Sequence, residues 1–184
     1  MATLSSFTFL SLDGYYKGLN DDISWHLHGE EEGQFSADSL QSENILLFGR
    51  KTFEIMASFW PTEMAAQQFP DVAKGMNKAK KLVVSNTVQK VDWSNTEIIS
   101  GDFIAQLKQL KQNSTKDITI LGSGQLLTAL AAENLVDEYG IMIDPVAIGA
   151  GSSLFKGLTT PLQLQLTDTR TFKSGVVLHN YKSM

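Results

Sequence analysis

Residues 45–56, ILLFGRKTFEIM, run from an apolar stretch through Gly49-Arg50-Lys51-Thr52 into a helix-periodic pattern. A glycine at that point permits a tight strand-to-helix turn and a close backbone approach. The unpaired first N–H groups of a helix, and its positive end, attract an anion. Arg50 and Lys51 add full charges and Thr52 a hydroxyl donor. Cations at a helix N-terminus oppose its dipole, so their position asks for a reason. An anionic ligand supplies one, and a solvated first turn with ordinary surface charges is the competing reading. A second candidate turn, Ser85-Asn86-Thr87, follows KLVV. Its hydroxyls and amide suit a ribose or phosphate, and they are equally common turn residues. A third, Gly122-Ser123-Gly124-Gln125, follows DITIL and opens a Leu-rich helix from Leu126 on. Its N–H groups suit a pyrophosphate, although it falls short of a full G-x-G-x-x-G. Three such turns at strand ends are more specific than any one of them.

The elements that must position these turns are short and alternate. Strands are expected at Phe7–Leu12, Ile45–Phe48, Lys81–Ser85, Thr96–Ser100, Asp117–Leu121 and Glu138–Ile143, with two more near Leu162–Thr169 and Val176–Tyr181. Helices are expected over 30–43, from Arg50 with Phe53, Met56 and Trp60 on one face, within 64–79, near 102–112 with Phe103, Leu107 and Leu110 inward, and from about Ser123 with Leu126, Leu127, Leu130 and Ala131 inward. Alternating strands and helices indicate βαβ units around a mostly parallel sheet. The chain after Pro145 has a Gly-rich loop and two strands without a helix, which indicates an antiparallel pair closing a mixed sheet. Ligands of such sheets sit outside the carboxyl ends of the strands.

The 184 residues suggest one α/β domain over 1–184, with no repeat and no linker. Hydrophobic residues are 42% and charged residues 19%, enough to build a core. A net charge of −5 argues against a nucleic-acid or anionic-membrane partner. There is no cysteine, so disulfides and thiolate metal sites are excluded, in keeping with a cytoplasmic setting. The N-terminal MATLSSFTFLSLDG reads as a first strand, and no apolar run is long enough to span a bilayer.

Six stretches, SLDGYYKG (11–18), LLFGRKTFE (46–54), KLVVSNT (81–87), ITILGSGQLLTAL (118–130), LVDEYGIMIDPVAIGAGSSLF (135–155) and GVVLHNY (175–181), together resemble the dihydrofolate-reductase-like superfamily. They resemble more closely its riboflavin-biosynthesis branch, the RibD C-terminal reductase domain. The resemblance covers nearly the whole chain. It implies a single-domain fold with a mixed, mostly parallel sheet flanked by helices and C-terminal antiparallel strands. It also implies NADPH as cofactor, with NADH possible. By that resemblance Gly49, Arg50, Lys51 and Thr52 would meet the phosphates of the adenosine half, and Gly122, Ser123, Gly124, Gln125 and Leu126 the pyrophosphate. Asp13, after the first strand, would border the nicotinamide and substrate. The relatives usually carry Ser-Arg-Thr where this chain has Ser85-Asn86-Thr87. Loss of a charged hydrogen bond to the 2′-phosphate costs about 1.5–3 kcal/mol, leaving Arg50 and Lys51 to carry any preference for NADPH.

On the substrate side, NDDISWHLHGEEEG places Trp25 where dihydrofolate reductases have a pocket-edge tryptophan, and Glu30 five residues on at a loose match to their acid. A buried acid could bind or protonate a pterin. Against this, Glu30, Glu31 and Glu32 together read as a solvated first helical turn. True dihydrofolate reductase activity is therefore not expected, and no catalytic residue is assigned. His26-x-His28-x-Glu30 suggests a metal only superficially: no second ligand cluster exists, loop histidines are more often solvent-facing, and no metal is expected. The expected function is NAD(P)H-dependent hydride transfer to a small pterin- or pyrimidine-like heterocycle or a carbonyl, in a homodimer such as relatives form. The alternative is a non-catalytic nucleotide-binding module of the same fold.

Overall fold

The computed structural model describes residues 1–27, 29–88 and 90–184; His28, of the superficial metal motif, lies outside the described residues, as does Gln89. The elements follow in the order β1 (Leu4–Ser11), β2 (Tyr15–Lys17), α1 (Glu30–Leu40), β3 (Ile45–Gly49), α2 (Arg50–Phe59), α3 (Glu63–Gln68), α4 (Pro70–Lys78), β4 (Lys81–Val84), β5 (Thr96–Ile99), α5 (Phe103–Asn113), β6 (Ile118–Leu121), α6 (Gly124–Ala132), β7 (Glu138–Asp144), β8 (Ser152–Ser153), β9 (Leu164–Thr171) and β10 (Val177–Ser183). Among the described residues, eight strands form one sheet in the order β5-β4-β3-β6-β1-β7-β10-β9, and β2 pairs with β8 apart from it. The pairs from β5 to β7 are parallel, and β10 runs antiparallel to both β7 and β9. The chain is thus an α/β domain with a mixed, mostly parallel sheet and C-terminal antiparallel strands, as its sequence indicates.

Two differences from the sequence reading have local causes. The single helix expected within 64–79 is two, broken at Phe69, because a residue before proline is pushed out of the helical region and Pro70 then opens α4. β1 begins earlier than expected, at Leu4, because Ser6 and Thr8 are buried there despite their hydroxyls and interrupt the apolar alternation.

The helices divide between the two faces of the sheet. Ala37 of α1, Phe53 of α2 and Val72 and Met76 of α4 pack with Leu46, Phe48, Val83 and Trp93 on one face. Leu107 of α5 and Leu126, Leu127 and Leu130 of α6 pack with Ile45, Leu47, Ile118 and Ile120 on the other. Each such buried aliphatic or aromatic side chain contributes about 1.5–3 kcal/mol, so the apolar stripes read from the sequence are what seat the helices. One consequence fixes the site. β3 and β6 are adjacent parallel strands, yet the helices leaving them, α2 and α6, cross to opposite faces. Their separation opens a crevice at the shared carboxyl end, the place where α/β sheets bind ligands.

Candidate functional site

Gly49 and Gly122 stand on the two lips of this crevice and touch through one side chain. The Gly49 N–H donates to the Ser123 hydroxyl at 2.7 Å. A Cβ on Gly49 would lie 3.2 Å from that oxygen, and one on Gly122 would lie 3.3 Å from the Thr52 methyl. Glycine is needed at 122 for conformation too: φ is +56° at Gly122 and 58° at Ser123, so two successive residues are left-handed before α6 begins. The N-caps Gly49 of α2 and Ser123 of α6 provide no side-chain cap, whereas α3 and α5 are closed by Thr62 and Asp102. The N-caps of α1 and α4, Gly29 and Phe69, provide none either, but α2 and α6 are the pair whose starts meet at adjacent strand ends, so that their N–H donors point into one crevice, an arrangement suited to a pyrophosphate.

That crevice is the head of a cavity of about 1340 Å³. Gly49, Arg50, Lys51, Thr52, Ser85, Asn86, Thr87, Gly122, Ser123, Gly124, Gln125 and Leu126 all border it, though Leu126 also belongs to the core. The cations are already engaged. Arg50 donates to both Glu54 carboxylate oxygens at 3.0 and 3.1 Å, and Lys51 donates to Asp21 at 3.0 Å. Asp21 also takes the Lys17 ammonium, and hydrogen bonds from Lys17 and then Lys51 hold its carboxyl below the usual range. Ser85 is buried and accepts from the Thr87 and Val88 N–H groups, bracing its own turn. Asn86 accepts the Gly101 N–H at 2.8 Å. The Asn86 amide thus ties this turn to the chain beyond β5.

Tyr16, not among the residues expected at the site, borders the cavity too. A Cβ on Gly124 would lie 2.5 Å from its ring, so the absence of a side chain at 124 makes room for Tyr16 against the start of α6. Past Tyr16 the cavity is walled by Phe7, Phe9, Trp25, His26 and Phe35. Of the residues expected on the substrate side, Trp25 lines the cavity, half-buried, with its indole N–H on the Asp22 carbonyl at 3.2 Å. Asp13 and Glu30 do not line it. The Asp13 carboxylate is taken by the Ser11 hydroxyl and by the N–H groups of Ile148 and Gly149, where it pins the Gly-rich loop. Glu30 is exposed at the first position of α1. Helix geometry explains the shift: two residues on, about 200° around the axis, Glu32 falls on the inward face. Far from solvated, it is 5% exposed, lines the cavity and accepts the Ser174 hydroxyl from the β9–β10 turn. His26, read as a solvent-facing loop residue, is buried as well, with Nδ1 2.8 Å from Asp144. The partner lies 118 positions away, out of reach of any local pattern. Among the described residues no group of three or more His, Asp or Glu side chains could hold a metal ion.

A family model described as the RibD C-terminal domain matches residues 2–178. The chain belongs to the RibD C-terminal domain family. Within it, the chain is 31% identical over 168 residues to the uncharacterized protein YyaP of Bacillus subtilis, covering 91% of this chain and 88% of that one. Its fold resembles a putative riboflavin biosynthesis protein from Shewanella sp. PV-4, with a TM-score of 0.73, 22% identity and coverage of 100% and 99% of the two chains. It also resembles a diaminohydroxyphosphoribosylaminopyrimidine deaminase/5-amino-6-(5-phosphoribosylamino)uracil reductase from Thermotoga maritima, with a TM-score of 0.68 and 12% identity, over all of this chain and 57% of that one. The chain thus shares its fold with both of these structures. No helix among its described residues is long and apolar enough to cross a membrane.

Proposed function

We propose that this protein is a nicotinamide-nucleotide-dependent reductase of a small heterocycle, pyrimidine- or pterin-like, or of a carbonyl compound. The observation that carries the reading is the pair of uncapped helix starts, α2 and α6, brought to one crevice by adjacent parallel strands and joined by the Gly49–Ser123 hydrogen bond. Their N–H donors fit a pyrophosphate, Arg50 and Lys51 fit the phosphate of the adenosine half, and the aromatic walls beyond Tyr16 fit two flat rings in contact. When bound, reduced nicotinamide supplies the hydride; the protein aligns the rings and excludes water. Arg50 and Lys51 favour NADPH over NADH. Glu32, a buried acid lining the same cavity as Phe7, Phe9 and Phe35, suits the N–H edge of an aminopyrimidine or pterin.

The test is a titration of NADPH and NADH by nicotinamide fluorescence. It is followed by a screen for cofactor oxidation with 5-amino-6-(5-phosphoribosylamino)uracil, dihydropterins and small carbonyls. Binding with turnover of one of these supports the reading. Binding with no turnover of any of them supports a non-catalytic nucleotide-binding module instead.

A further inference from the structure

His26 borders the cavity and pairs behind it with Asp144, and both are buried. Asp144 is 0% exposed and His26 7%. Asp144 uses both oxygens: Oδ2 faces His26 Nδ1 at 2.8 Å, and Oδ1 accepts the Leu27 N–H at 2.7 Å. A carboxylate can only accept, so Nδ1–H is the donor and the tautomer follows from the network. The imidazole lies flat on Phe9, with ring centroids 3.5 Å apart and planes 25° apart, while Trp25 meets it edge-on at 6.3 Å. The ring is therefore held at three sides by groups from β1, from β7 and from its own segment. Burying charge is costly unless it is paired and hydrogen-bonded, as this pair is, and buried acid–base pairs beside a cavity are concentrated at functional sites.

Its position in the sheet points the same way. Asp144 ends β7 and pairs with Ser11 at the end of β1. β1 lies between β7 and β6, whose end carries Gly122. Two strand spacings across, and the three residues along β1 from the level of Gly122 to that of Asp144, make roughly 14 Å from the glycine turn to the pair, both at the carboxyl edge of the sheet. A dinucleotide anchored at that turn and extending toward Trp25 brings its reactive end to His26.

We propose that His26 is the proton donor of the reduction, held and oriented by Asp144; this rests on the reductase reading above. A C=N or C=O carbon of the substrate takes the hydride. The displaced π pair goes to the nitrogen or oxygen, which takes a proton from the imidazolium. The ring N–H bond breaks, an N–H or O–H bond forms, and the neutral ring regains its proton from water. Asp144 stays ionised throughout and stabilises the imidazolium. The charged groups on neighbouring elements already have partners: α1 brings Glu32, engaged by Ser174, and the segment before Trp25 brings Asp21, engaged by Lys17 and Lys51, and Asp22, which accepts the Ser24 N–H.

The experiment uses the acceptor turned over fastest in the screen described above, with NADPH. Wild-type kcat should fall as pH rises, because the donor must carry its proton. His26→Gln should lower kcat about 100-fold or more, with KM changed less than about 3-fold, and should abolish that slope. Asp144→Asn should lower kcat while keeping the segment in place. A His26→Gln enzyme with wild-type kcat and an unchanged slope overturns the proposal. Should His26→Gln fail to fold, imidazole spectra of the ¹⁵N-histidine-labelled wild type decide, with NADP⁺ as the probe. The His26 ring signals should move together with the Gly49 and Gly122 amides. Movement of those amides with the His26 ring unmoved overturns the proton-donor role alone. Stationary amides overturn the nucleotide site, and with it the reductase reading.

Discussion

Replacing Arg50 with alanine separates the two phosphate-bearing cofactors. In the free protein Arg50 is paired with Glu54 one helical turn on, with side chains 42% and 50% exposed. A pair so exposed contributes about 0.3–0.5 kcal/mol, so Arg50→Ala should leave the fold within about 1–2 °C of the wild-type Tm. Binding NADPH requires Arg50 to leave Glu54 for the 2′-phosphate. Charged hydrogen bonds contribute about 1.5–3 kcal/mol, from which the surrendered pair subtracts a few tenths. The net, about 1–2.5 kcal/mol, corresponds to roughly 5- to 70-fold in Kd for NADPH, while NADH, which lacks that phosphate, should change less than about 2-fold. Fluorescence titrations of both nucleotides against both proteins measure this directly. Equal weakening of the two would move Arg50 to the shared pyrophosphate. No change in either would leave the motif a charged first turn in solvent.

Two further outcomes follow from the same geometry and from the core. Gly122→Ala puts a side chain at φ +56° with its Cβ 3.3 Å from the Thr52 methyl. It should cost about 1–2 kcal/mol, lowering Tm by about 2–8 °C by scanning calorimetry, and should weaken NADPH and NADH alike. Lys81 is fully buried at the start of β4, donates to the carbonyls of Met76, Asn77 and Ala79, and lies 4.6 Å over the Trp93 ring; burial pushes its pKa down to about 8. Between pH 8 and the ordinary 10.5 the unfolded chain holds a proton that the folded chain has shed. Stability should therefore rise with pH across that window, and urea midpoints should show this rise for wild type and not for Lys81→Met.

Most of the fold was legible because its signals are local. The apolar faces of α2, α5 and α6 named from spacing are the faces that pack, and the three turns named as a nucleotide site do border one cavity. The sequence did not reveal what depends on contacts between distant segments. Tyr16 against Gly124, His26 on Asp144 and Ser174 on Glu32 each join residues more than a hundred positions apart. Glu32 was misread for a different reason: three consecutive glutamates look equally solvated until the direction of the helix face is known. Asp13 was drawn to the wrong task because its sequence neighbourhood does not show that the loop at Ile148 and Gly149 takes its oxygens.

The reductase reading depends on one dinucleotide bridging the starts of α2 and α6. A crystal structure of the protein grown with NADP⁺ tests it most directly. The pyrophosphate should lie between the N–H groups at Arg50–Thr52 and Ser123–Gln125, with the nicotinamide among Tyr16, Trp25 and His26. A dinucleotide bound at only one of the two helix starts, or at another place on the sheet, would contradict it.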